Sequence, residues 1–144
     1  MGKVRFLTKE SDYAIRALVF LALNPGCHSS ATISRSTKLP LRYCRRILKL
    51  LTDKGLTFSK EGIRGGISLA GDPAKISLAR IISIIQGDIR LSQCMFRKKI
   101  CLNRRTCVLR KRLLAIERKL VLEFDNITIA GLANDLAVAG QRKR

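Results

Sequence analysis

The sequence predicts a mainly α-helical protein with a small β-hairpin wing: a winged helix-turn-helix domain followed by a long helix that serves dimerisation. Three observations predict it. Apolar residues recur at helical spacing through most of the chain. A short helix, a tight turn and a basic amphipathic helix follow one another before residue 55. Directly after them, two short alternating segments flank a glycine-rich tip. The chain has 144 residues and is 47% hydrophobic, enough to bury a real core in one domain with an appended element.

The elements follow in order. Lys9–Leu23 reads as a helix that Thr8 or Ser11 is placed to cap. Ala14, Leu18 and Leu21, with Ala17, Ile15 and Val19, give it a broad apolar face, and Asn24-Pro25-Gly26 ends it. Cys27 and His28 fall in a loop, where a lone His is more often a surface residue than a ligand. Ser30–Thr37 reads as a short helix capped by Ser29 or Ser30, and Leu39-Pro40-Leu41 as a turn. Leu41–Lys54 is a strong helix. Its expected inward stripe is Ile47, Leu50 and Leu51 with Tyr43 and Cys44, and Arg42, Arg45, Arg46 and Lys49 lie on its other faces. Gly55 is placed to end it with positive φ.

Leu56–Ser59 and Ile67–Leu69 alternate like strands around the tip Lys60–Gly66. This hairpin is the wing, and residues 1–72 form the DNA-binding domain, with the wing at about 56–69. Gly71-Asp72-Pro73 breaks the chain. Ser77–Gln86 is an apolar helix with Ser77 as cap, within a connecting stretch of 73–92. A cysteine loop spans 93–108. Cys107–Asn126 reads as one long helix, with 109–127 as the dimerisation element. Leu109, Leu113, Ile116 and Leu120, extended by Phe124 and Ile127, make an apolar seam along it that suits a partner helix or a fold back onto the domain. A short helix over Thr128–Ala137 and a basic tail over Gly140–Arg144 fill out 128–144.

The formal net charge is +19, which points to a polyanion and first to nucleic acid. A recognition helix fits the major groove, ~12 Å wide. Arg42, Arg46, Lys49 and Lys60 are the expected phosphate contacts, with Tyr43 and Arg45 at base edges and Thr32 and Arg35 as further DNA-binding residues. Arg64 on the wing lies against phosphates or in the minor groove. Aromatic residues do not alternate with basic ones, so a stacking surface for single strands is not expected. No apolar run reaches the ~18 residues of a membrane span, and Glu10, Asp12 and Arg16 interrupt any signal-peptide core. The expected location is therefore cytoplasmic. No nucleophile elbow, P-loop or zincin motif is present, and no His is placed as the partner of a catalytic Cys, so an enzyme is not expected.

Three of the five cysteines, Cys94, Cys101 and Cys107, fall in one basic segment. Nearby cationic charge favours the thiolate that binds soft metals, and a reducing compartment favours metal or redox chemistry over disulfides. Three such ligands suit zinc or an iron–sulphur cluster. Without a CxxC pair the spacing alone is moderately specific.

The chain resembles the IscR/NsrR/CymR group of bacterial winged-helix regulators almost end to end. The matching residues are Leu7-Thr8-Lys9 and Asp12-Tyr13-Ala14, Tyr43, Ile47-Leu48, and Lys54-Gly55-Leu56. Gly62, Gly65-Gly66, the three cysteines and Asn126-Ile127-Thr128 complete the match. The resemblance implies a homodimeric repressor or activator on a palindromic operator in double-stranded DNA. It implies an iron–sulphur cluster, 2Fe–2S or 4Fe–4S, held by Cys94, Cys101 and Cys107 and coupled to DNA affinity. Some relatives add a His three residues after the last Cys, and here that place holds Arg110. Others reach across the dimer with an Asp of the first helix, which matches Asp12; His28, Glu10, a water or a small thiol are the alternatives. The family's wing carries an Arg just before its first Gly, where this chain has Glu61. Two further readings stay open: a cluster-free cysteine-metabolism or redox regulator of the same fold, and a DNA-binding protein with structural zinc.

Overall fold

The structure is a computed structural model that describes residues 6–91 and 105–141. Cys94 and Cys101 lie outside the described residues.

Helix α1 spans Lys9–Leu23. The Thr8 hydroxyl accepts the N–H of Ser11 at 3.2 Å, and Glu10 and Asp12 in the first turn complement the helix dipole. Its end is closed by Asn24, whose backbone and side-chain N–H groups both donate to the Phe20 carbonyl. Helix α2 spans Ser30–Thr37, with Ser29 as its cap on the Thr32 N–H. The turn to the next helix places Lys38 in the left-handed region at φ 56°, stabilised by the Ser34 hydroxyl donating to the Leu39 carbonyl.

Helix α3 spans Leu41–Asp53 and buries Cys44, Ile47, Leu48 and Leu51. This corrects the expected stripe. Leu48 is buried where Leu50 was expected, and Tyr43 is 45% exposed. The stripe is rotated because the face must meet α1 and α2 together, and Leu48 joins Ile33, Leu39 and Cys44 in that cluster. The helix ends in a double hydrogen bond: Leu56 N–H to the Leu51 carbonyl at 2.9 Å and Gly55 N–H to the Thr52 carbonyl at 3.0 Å. Gly55 adopts φ +72°, as this motif requires.

Strands β1, Thr57–Lys60, and β2, Gly66–Leu69, pair antiparallel with Thr57 opposite Leu69 and Lys60 opposite Gly66. The outer edge of β2 is also paired. His28 N–H donates to the Ile67 carbonyl at 2.9 Å, and Ile67 N–H to the His28 carbonyl at 2.8 Å. A Cβ at Gly66 would fall 2.7 Å from the His28 backbone, so only glycine fits there. The wing is thus fixed to the residue just before the α2 cap.

A single 3₁₀ turn at Pro73–Lys75, capped by Asp72, leads to α4 at Leu78–Gln86. Helix α5 spans Val108–Asn126 and α6 spans Ile129–Gln141. The last helix runs past the expected stop and takes in Gly140, because the Ala-rich segment Ala137–Ala139 extends a helix at little cost. The core joins α1, α3, α4 and α6 through Leu18, Ile47, Leu51, Ile81 and Ile129. The joint between α5 and α6 is stitched to the start of α4: Leu78 N–H donates to the Ile127 carbonyl at 2.8 Å and Ile129 N–H to the Ile76 carbonyl at 2.9 Å.

Candidate nucleic-acid interface and cysteine anchor

The α2–turn–α3 unit turns one face outward. Arg42, Arg45, Arg46 and Lys49 are all exposed on α3, and Thr32 and Arg35 on α2. Arg45 Nε donates to the Ser30 hydroxyl at 3.4 Å, which fixes it beside the α2 N-terminus. N–H groups at a helix N-terminus favour anions, so Ser30, Arg45 and Lys49 line a groove suited to a phosphate. Ser59 on β1 and Ile67 on β2 close that groove on the wing side. Lys60 and Arg64 are exposed on the wing.

Arg46 is differently placed. It pairs with Glu10 of α1 at 3.0 Å and lies over the Tyr43 ring at 5.4 Å, while Tyr43 meets Tyr13 edge-on at 6.2 Å. Its charge is shared with a carboxylate that the sequence reading did not connect to it. Asp53 adds a second acid at the end of the same helix face. No local pattern announces the Glu10–Arg46 pair, because the two residues come together only through the packing of α1 on α3.

Cys44 faces inward at 1% exposure and donates weakly to the Ser30 carbonyl at 3.7 Å. Burial pushes its thiol pKa up, which keeps it a packing residue.

Of the three clustered cysteines, Cys107 is within the described residues. It is a free, half-exposed thiol and the cap of α5, with its sulphur accepting the Arg110 N–H at 3.5 Å. The sulphur thus satisfies one of the first-turn N–H groups that a helix start leaves without an intrahelical partner. The other end of the cysteine segment is held by Glu117. This buried carboxylate, 8% exposed, accepts the Leu91 N–H at 2.8 Å and lies 4.0 Å from Arg90. Glu117 is a site residue the sequence reading missed, since a charged residue in an amphipathic helix reads as a solvated one.

The candidates for a fourth ligand all have partners within the chain. Asp12 pairs with Arg16 at 3.0 Å, Glu10 with Arg46, and His28 Nε2 lies 2.9 Å from the Asn24 carbonyl with its ring against Phe20. Among the described residues no group of three or more His, Cys, Asp or Glu side chains converges. Gln86, the last residue of α4, clamps the start of α1: its Oε1 accepts from Thr8 N–H and the Ser11 hydroxyl, and its Nε2 donates to the Phe6 carbonyl.

Comparison with known proteins agrees with this architecture. The Rrf2 family model, described as an iron-dependent transcriptional regulator, matches residues 7–135. The chain is 29% identical over 140 residues to a protein of Haemophilus influenzae named as an HTH-type transcriptional regulator, covering 96% of this chain and 93% of that one. CymR of B. subtilis, the global cysteine regulator, matches with a TM-score of 0.73 at 22% identity, over 93% of this chain and 98% of that one. IscR of T. potens matches with a TM-score of 0.71 at 22% identity, over 90% and 87%. At that identity the two structures speak for the fold alone. With six α-helices and one antiparallel hairpin among its described residues, and matched by this family model over most of its length, the chain belongs to the Rrf2 family of transcriptional regulators.

Proposed function

We propose that the protein is a homodimeric repressor that binds a palindromic duplex operator and responds to redox, nitric oxide or iron status. The observation that carries the DNA reading is the basic outward face of α3 beside the α2 N-terminus and a braced wing. In this reading Arg42, Lys49, Lys60, Thr32 and Arg35 hold phosphates. Arg45 and Tyr43 read base edges, and Arg64 enters the minor groove. Arg46 contributes after exchanging Glu10 for a phosphate. The protein works in the cytoplasm; no described helix is long and apolar enough to cross a membrane.

In the same reading Cys94, Cys101 and Cys107 hold an iron–sulphur cluster. Cys107 supports this as a free thiol at a helix start, and Asp12 is the fourth ligand, reaching the other subunit's cysteines after releasing Arg16. When bound, the cluster supplies a centre that changes charge and ligation with the chemical state of the cell. The chain's own residues link that centre to DNA. Glu117 fixes where the cysteine segment leaves the domain, Cys107 fixes where it returns, and Gln86 ties the end of α4 to the turn that carries Asp12. Any coupling between cluster state and operator affinity is reciprocal. A two-fold dimer matches a palindrome, and the exposed apolar residues of α5 supply its surface.

The test is anaerobic purification followed by an absorbance spectrum with iron and sulphide analysis. Broad visible absorption with comparable iron and acid-labile sulphide, lost in Cys94→Ala, is the expected result. A colourless protein after attempted reconstitution, with operator affinity unchanged in Cys94→Ala, would overturn the cluster reading and leave the cluster-free regulator.

A further inference from the structure

We infer that Ile63, at the apex of the wing, is an apolar wedge that enters the minor groove and unstacks one base step on each side of the operator. The inference rests on the reading that the chain binds duplex DNA.

Gly62 to Gly65 form a tight turn closed by the Gly65 N–H donating to the Gly62 carbonyl at 2.9 Å. Ile63 and Arg64 are its two central residues, so both side chains stand at the tip. Ile63 is fully exposed, at 107% of the reference area, and no described residue covers it. Isolated exposed apolar residues are ordinary on protein surfaces. This one differs in three respects.

It sits beside a cation on an element flanking the candidate phosphate groove. The minor groove, ~6 Å wide, concentrates negative potential that draws an Arg inserted into it, so Arg64 carries its neighbour to the base edges.

The tip is also braced. A Cβ at Gly65 would collide with the Lys60 carbonyl oxygen, so the returning strand crosses as close as glycine allows. Two backbone hydrogen bonds between His28 and Ile67 hold the hairpin base to the approach to α2. A wedge must resist being pushed back, and a hairpin free to swing would not separate stacked bases.

The shape of the side chain suits the task as well. Branched aliphatic groups inserted between base steps replace stacking with apolar contact and kink the duplex toward the major groove. Unstacking costs least at pyrimidine–purine steps. The wing would therefore select TA or CA/TG steps at the flanks of the operator without a hydrogen bond to any base, which makes Ile63 a specificity-determining residue.

The experiment uses the full chain and a duplex recovered from a randomised pool by selection on that chain. The duplex is synthesised with 2-aminopurine placed in turn at each flanking step. Binding of the wild type should raise the fluorescence several-fold at one step per half-site. Ile63→Ala should bind the same duplex with the fluorescence returned to that of free DNA and the selection for TA or CA/TG lost. Its melting temperature should match the wild type, since no described residue packs against Ile63. Arg64→Ala should weaken binding and increase its tolerance of salt less than loss of a groove-wide contact set would. No rise at any flanking step with wild type bound, or an undiminished rise in Ile63→Ala, would overturn the wedge. Failure of the wild type to bind any selected duplex would overturn the DNA reading itself and the wedge with it.

Discussion

Helices α3 and α5 are both amphipathic and both rich in Arg and Lys, yet their apolar residues have opposite fates. Helix α3 seals Cys44, Ile47, Leu48 and Leu51 into the core at 2% exposure or less and turns its cations outward. Helix α5 is longer, at 19 residues, and the one residue it buries is the carboxylate Glu117. Val108, Leu109, Ile116 and Leu122 stay half or more exposed along it, while Leu113, Leu120 and Phe124 are partly covered by the domain. The expected seam is therefore divided: one flank packs inside the chain and the other is left open. Helix α3 is complete within one chain. Helix α5 has the composition of an element that is completed by something else.

Matched substitutions sharpen that contrast. Leu48→Ala should cost about 2–5 kcal/mol of folding stability in urea unfolding, because the cavity lies between α1, α2 and α3. Ile116→Ala should change the same measurement in dilute protein by less than about 0.5 kcal/mol, yet shift sedimentation toward a smaller species. A folding loss at Ile116 as large as that at Leu48 would mean that α5 is covered within its own chain.

The outward face of α3 can be divided in the same manner. Arg45→Ala should cost about 1–3 kcal/mol against the selected duplex and little against random DNA. Equal losses on both would remove Arg45 from base readout. Within α3, the smallest effect is expected at its end. Gly55→Ala forces a left-handed residue to carry a Cβ, and no neighbour lies within 4 Å to clash with it. The penalty is then conformational alone, about 1 kcal/mol in chemical denaturation.

Helix boundaries were legible because their causes are local. Thr8, Ser29 and Ser77 each cap the helix they precede in sequence, and Gly55 ends one by its own conformation. What escaped was formed at a distance. His28 reads as an ordinary loop residue, and nothing beside it signals that its backbone pairs with Ile67. Asn126-Ile127-Thr128 reads in the sequence as a family match, but its pairing with Ile76–Leu78 follows only from the fold. In the cysteine segment, residue type and charge suggest soft-metal binding but give no sign of the anchor at Glu117, which is hidden by a pattern in which charge normally means solvent.

The paired hydrogen bonds at Ile76, Leu78, Ile127 and Ile129 have a consequence for how this architecture can vary. The chain departs and returns at one seam, so α4, the cysteine segment and α5 form a single excursion whose base is already closed. Closing a longer excursion at the same seam adds only slowly to the entropic cost, ~0.6 kcal/mol for a doubling of flexible length. Helix α4 is held in the core by Ile81 and Ile82, so the length of chain between Gln86 and Cys107 can change while the seam and the α1–α3–α6 body keep their places.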